Sequence, residues 1–377
     1  MSLKTDLILS RAPAAAFVSM GLFWGAFAAL APMIKAQIGA GDAEFGTALL
    51  FSALGACCAM LMAPIAERAL GQWAMVILAL ALASAWLLPG LATTVWFFGF
   101  AMMLAAMASG TLDVVMNARL SQIEADSGVG LMNLNHALFS FAYAGAALGA
   151  GAGREAGWSA FAILSCACVL AVMLSTMMRA PISEAEDETS GTAKLPGLLI
   201  WSAGAIILIA FMSEQATEGW SALRLERDLG GGAAQGALGP AILGLTMGIG
   251  RLSGQYLQRR FSAEIVIRWA GIMAATGALI AAFAPNLAVA YAGFAVLGLG
   301  VSVTAPMAFA LVGRRVANRH RAAAISRISV IGYAGFFIGP PLMGFLAEWF
   351  SLAASFAAIG VALLVLALPL VSLLKRS

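Results

Sequence analysis

Apolar stretches of roughly membrane-span length alternate with short polar breaks along the chain, at 14–34, 45–66, 73–89, 93–118, 129–153, 157–178, 197–213, 235–256, 263–283, 287–312, 323–347 and 351–373. In hydrocarbon a backbone must satisfy its own hydrogen bonds, so an apolar stretch of this length crosses as a helix. The pattern predicts an all-α membrane protein of twelve transmembrane helices. The longest polar break, rich in acidic, Ser/Thr and Pro residues, runs over 179–196. It divides the chain into an N-terminal six-helix bundle at 1–178, a cytoplasmic linker at 179–196 and a C-terminal six-helix bundle at 197–377.

The two halves echo each other. Tyr143-Ala144-Gly145, then Gly149, recurs 190 positions later as Tyr333-Ala334-Gly335, then Gly339, and Gly110 and Gly300 share the offset. Parallel six-helix repeats related about an axis along the membrane normal are a transporter architecture. The small-residue runs Gly145–Gly153 and Gly332–Gly344 predict seams of close helix packing. Gly145, Gly149, Gly335 and Gly339 are therefore packing or hinge positions, and Pro340 and Pro341 are expected to bend the eleventh helix.

Composition strengthens the membrane assignment. Hydrophobic residues make up 62% of the chain and charged residues 10%, against about 25% charged in a soluble domain. The first apolar segment outruns signal-peptide length before charge resumes at Lys35, so it is expected to be retained as a helix. Cys57, Cys58, Cys166 and Cys168 fall in apolar segments and read as small hydrophobes rather than a disulfide framework or a metal site. Metal-ligand spacing, a specific nucleophile–base pair and a phosphate-binding glycine loop are not found. An enzyme, a metal, a cofactor and a nucleic-acid partner are accordingly not expected.

Charge gives an orientation. With the N-terminus inside, the inner loops collect most of the basic residues, from Lys4 and Arg11 to Lys375 and Arg376, while the outer side keeps Lys35, Arg154, Arg224 and Arg227. This positive-inside pattern places both termini in the cytoplasm.

Polar groups inside the spans need a reason. Asp113 is the lone formal charge between Thr93 and Met116, and such a residue costs about 2.5–3.5 kcal/mol at a helix centre. It either faces a protein interior or reaches interfacial water, and Asn117 lies one helical turn on, on the same face. The fifth segment opens with Asn133, Asn135, His136 and Ser140. A carboxylate beside an imidazole can hold or transfer a proton, and the same pair can be a hydrogen-bonded lock between helices. On the outer side, Glu214, Glu218 and Trp220 form either a vestibule for a polar solute or cation, or a wet helix end with an interfacial anchor. Lys35 is expected to snorkel to the interface. Trp24, Phe27 and Tyr143 are cavity candidates by position and type.

The whole chain resembles the major facilitator superfamily of transporters. Members carry a glycine–acid–basic signature after helices two and eight. Here Glu67-Arg68 fits the first copy, although Ala63 replaces its opening glycine; in the second, Gly254 and Arg259 fit but Gln258 replaces the acid. The resemblance implies gating roles for Glu67, Arg68, Arg251, Gln258 and Arg259, with the basic residues also available to phospholipid headgroups. Within the superfamily, Gly110 to Asn117, Met132 to Ser140, Glu214 to Ser221 and "GYAGFFIGPP" resemble the fucose-permease-like branch and its bacterial inner-membrane members. That likeness implies a proton-linked role for Asp113 with Asn117, while the acid usual on helix one has no counterpart between Phe17 and Pro32.

The expected protein is a bacterial inner-membrane secondary carrier, monomeric, working by alternating access and coupling protons to uptake of a small polar or sugar-like solute. Asp113, His136 and Glu214 are the proton-coupling candidates. Trp24, Phe27, Asn117, Asn133, Ser140, Tyr143, Glu218 and Trp220 are the substrate-facing ones. Export of a drug-like or metabolite substrate, and a non-transporting membrane sensor or scaffold, are the alternatives.

Overall fold

The computed structural model describes residues 3–180 and 196–376, and most of the expected linker at 179–196 lies outside them. After a short helix at Leu3–Leu9, twelve principal helices follow among the described residues: α1 (Arg11–Gln37), α2 (Asp42–Leu70), α3 (Ala74–Ala85), α4 (Val95–Ser127), α5 (Met132–Glu155), α6 (Ala160–Ser175), α7 (Gly197–Leu223), α8 (Ala233–Arg260), α9 (Ala263–Ala282), α10 (Leu287–Arg315), α11 (Asn318–Trp349) and α12 (Leu352–Val365). We call the face bearing the α1–α2, α3–α4, α5–α6, α7–α8, α9–α10 and α11–α12 connections the far face, and the face bearing the chain ends the near face.

The even-numbered helices all begin at the far face, and their starts are specified locally. Thr94, Ser159, Asn286 and Ser351 accept hydrogen bonds from the backbone N–H groups of Phe97, Ala162, Val289 and Ala354, at 3.0–3.3 Å. These caps satisfy donors that a helix N-terminus leaves free. At α2 and α8, Glu44 and Gln235 reach back to the N–H groups of Gly41 and Gly232, each at 2.9 Å. Corresponding caps in the two halves lie 191 or 192 positions apart, so the internal repeat extends from the glycine seams to the helix starts.

Three elements differ from the apolar pattern. Helix α4 continues past the expected end at 118 to Ser127, and Gly128 stops it with φ +68°, a left-handed conformation natural to glycine. Helix α7 runs through its polar outer stretch to Leu223 and enters a π turn at Arg224–Asp228. Its polar residues face other helices rather than forming a loop. Helix α12 passes into a π turn at Leu366–Leu370, where Pro369 cannot donate the ordinary helical bond.

Each half packs as its own bundle, with α2 against α4 and α1 against α5 in the first, and α9 against α10 and α7 against α11 in the second. The halves meet along two long seams, α5 with α8 and α2 with α11. Small residues permit the approach: a Cβ on Gly46 would strike the Pro340 carbonyl, one on Gly344 would lie 3.1 Å from Gly46, and one on Gly151 would strike Ala237. The sequence-predicted hinge glycines divide. Gly335 lies tight against the α7 backbone and Gly339 against Met212, whereas Gly145 and Gly149 face open space. The seam in α5 is set instead by its contact with α1, where Cβ atoms on Gly21 and Gly25 would run into the backbone of Phe139 and Tyr143. Pro340 and Pro341 both lie within the continuous span of α11.

Candidate functional site

Between the halves, α5, α7 and α8 bring ionisable side chains together. Arg251 of α8 donates to Ser140 Oγ on α5 at 2.5 Å and to a Glu214 carboxylate oxygen on α7 at 3.2 Å, with a longer contact to the His136 carbonyl at 3.4 Å. Its side chain is 14% exposed and that of Glu214 19%, so the pair is largely removed from water and its geometry is costly to break. Sequence reading places Arg251 in a gating loop. The structure instead puts it inside α8 as a bridge between the halves.

One turn beyond Glu214, Glu218 accepts a hydrogen bond from Gln215 Nε2 at 3.0 Å. It lines a small cavity with Trp24, Phe27, Ala28, Leu49, Ser52, Gln215, Gly219 and Pro340. The cavity therefore draws on α1, α2, α7 and α11, two helices from each half. Trp24 packs edge-on against Trp86 at 4.9 Å and against Phe27 at 6.2 Å, and Trp86 is fixed by an indole hydrogen bond to Ser109 at 3.0 Å. The Tyr143 and Ser52 hydroxyls are buried without a hydrogen-bond partner, and both carboxylates lie within electrostatic reach of Tyr143.

Asp113 is elsewhere. It accepts a hydrogen bond from Asn117 Nδ2 at 3.0 Å, while the same amide donates to the Asp113 carbonyl at 2.8 Å. Its charge bears on Tyr333 of α11, across the interface. The expected Asp113–His136 partnership is not formed: α4 and α5 barely touch, and the imidazole instead packs edge-on against Phe17 at 4.8 Å. Asn133 is half-buried at the start of α5. Trp220 is neither an interfacial anchor nor a lining residue; it is fully buried, edge-on to Phe45 of α2 at 5.8 Å.

Of the expected loop gates, Glu67 is paired at 2.8 Å with the buried Arg119 of α4, which also donates to the Gly71 carbonyl at 3.3 Å. Arg68 is exposed and donates to its own helix at the Pro64 carbonyl. Glu264 and Arg315 form an ion pair at the near face of the second half. These contacts stay within one half. The side chains of Gln258 and Arg259 lie outside those described.

The far face carries further contacts that tie the halves together. Arg227 pairs with Asp42 at 2.6 Å, and Arg154 grips Glu226 through both guanidinium nitrogens at 2.6 and 2.8 Å while also donating to the Ala29 carbonyl at 2.7 Å. Asp42 also pairs with Lys35 at 3.0 Å, Arg224 with Asp228 at 2.8 Å, and the Asp42 backbone N–H donates to Glu348 at 2.8 Å. Lys35 is therefore a member of an ion network rather than a snorkelling residue. The signal for this latch is present in the charge distribution: Lys35, Arg154, Arg224 and Arg227 are the four basic residues on the side that the positive-inside pattern leaves poor in cations. Each is neutralised by an acid in the fold.

Residues 203–377 match the family model described as Major Facilitator Superfamily. An uncharacterized MFS-type transporter of Yersinia pestis is 29% identical over 358 residues, covering 93% of this chain and 92% of that protein. The membrane protein MosC of Rhizobium meliloti is 28% identical, covering 88% and 82%. Among solved structures, a bacterial homolog of the human lysosomal transporter Spinster, inward-facing and occupied, superposes with TM-score 0.79 at 15% identity over 100% of this chain and 98% of that one. The nucleoside transporter NupG superposes with TM-score 0.70 at 14% identity over 100% of both chains.

Proposed function

We propose that this chain belongs to the major facilitator superfamily, whose family model matches residues 203–377, and is a secondary carrier of a bacterial inner membrane that couples protons to the uptake of a small polar or sugar-like solute. The observation that carries the reading is the arrangement of polar groups between the halves. Arg251 bridges Ser140 and Glu214 within the bundle, one helical turn of α7 from a cavity shared by both halves, while Asp42–Arg227 and Arg154–Glu226 latch the far face. A carrier needs a central site whose access alternates between two faces. In this reading the far face is periplasmic, both termini are cytoplasmic, and the latched state is sealed from outside.

Asp113 and Asn117 form a second polar centre on α4. The likeness of Gly110–Asn117 to fucose permeases supports Asp113 as the proton-responsive group, with Glu214 as the second. His136, held against Phe17, shapes the α1–α5 contact beneath the bridge. Purified protein in vesicles, given radiolabelled sugars and polyols with and without an imposed pH gradient, tests the reading. Uptake that follows an acidic exterior supports it. Solute expelled by the same gradient reverses the direction, and flux indifferent to the gradient removes proton coupling.

A further inference from the structure

We infer that the cavity around Glu218 is a subsite for a primary ammonium group, so the carried solute is an amine-bearing polar molecule. The inference rests on the carrier reading above and adds the chemical class of its substrate. Glu214 and Glu218 lie one turn apart, but their surroundings differ. Glu214 has its cation in Arg251. Glu218, among the described residues, has a neutral amide as its hydrogen-bond partner, so a carboxylate lines the cavity with no ion-pair partner of its own. Away from water an acid without a cation holds its proton, and a cation entering beside it favours the charged form.

The remaining walls fit a cation. Trp24 and Phe27 supply aromatic rings, which attract cations through their negative faces. Ser52 brings a buried hydroxyl without a partner, and Gln215 a side-chain amide. Basic residues are absent from the lining. The volume, about 20 Å³, accommodates one water-sized group. An ammonium matches a space of that size.

The test is binding to the purified full-length protein in detergent, read as a shift in thermal unfolding, with matched pairs of probes: glucosamine against glucose, and cyclohexylamine against cyclohexanol. The amine of each pair should bind about tenfold or more tightly than its neutral partner, a preference of the size that one desolvated cation contact gives. Glu218→Gln should abolish that preference, while Glu218→Asp restores part of it and reports that the fold survives. Equal binding of amine and neutral partner, no binding by either amine, or a preference that persists in Glu218→Gln would overturn the subsite. Because the readout is binding, the two proposals fail separately. Amine binding without gradient-driven flux would keep the subsite and remove the carrier reading, and flux of neutral solutes without amine preference would do the reverse.

Discussion

Arg154→Gln should loosen the far face, and the structure sets the size of the effect. The Arg154 side chain is 7% exposed and its partner Glu226 18%. Breaking a buried, hydrogen-bonded ion pair from one side costs about 3–5 kcal/mol, because the remaining charge is left uncompensated. Glu226 keeps some contact with water, so about 2 kcal/mol is left to act on the contact between the halves. At about 1.4 kcal/mol per factor of ten, that shift raises the population of far-face-open molecules about thirtyfold. The assay is labelling of a single cysteine, Leu49→Cys, at a cavity residue that is 7% exposed. It uses a chain with Cys57, Cys58, Cys166 and Cys168 replaced and a membrane-impermeant maleimide applied to the far face. Arg154→Gln should raise the labelling rate by that factor. Arg154→Gln with Glu226→Gln should return part of the way, since no orphan carboxylate remains. A rate unchanged by the single substitution would refute the latch.

Asp113→Asn should abolish accumulation driven by a pH gradient while leaving solute exchange across vesicles, as the site near Glu218 and Arg251 is untouched; normal accumulation by the variant would remove Asp113 from coupling. Gly25→Ala should lower the unfolding temperature of the purified protein by several degrees, because its Cβ would meet the Tyr143 backbone. Gly145→Ala, on α5 and facing open space, should be neutral or stabilise by about 0.5–1 kcal/mol through helix propensity alone. Glu67→Gln should destabilise the first half by about 2–4 kcal/mol in chemical denaturation, since it leaves the 5%-exposed Arg119 side chain without its carboxylate.

The fold was legible because hydrocarbon leaves a backbone few options. Apolar length located the spans, and the polar break at 179–196 suggested the division into halves, which the Tyr-Ala-Gly repeat supported. At α7 polarity left a vestibule and a wet helix end both open for the stretch from Ser213 to Trp220, and the helix continues through it with Gln215 and Glu218 on the cavity and Trp220 against α2. Side-chain identity alone could not separate Asp113 from His136, because residues in adjacent spans need not share a contact, and α4 packs chiefly on α2. Arg251 was legible as a basic residue near the second loop signature, but its reach to Ser140 depends on the α5–α8 seam, which no local pattern encodes. The latch was written in the sequence as a set of cations on the side that the positive-inside pattern leaves poor in them; their acidic partners become evident only when the helices are assembled.

Trp220 gives the assembled molecule an optical property. Its indole has no exposed surface and rests edge-on against Phe45, a ring carried by the other half. Phe45 in turn stacks on Phe98 at 5.4 Å, so the indole terminates a file of rings anchored in the first half. Any rocking that parts α2 from α7 removes this neighbour and admits water to the unpartnered indole N–H. Emission from Trp220 would then move to longer wavelength in step with the motion, and the protein would report its own conformational cycle without an added dye.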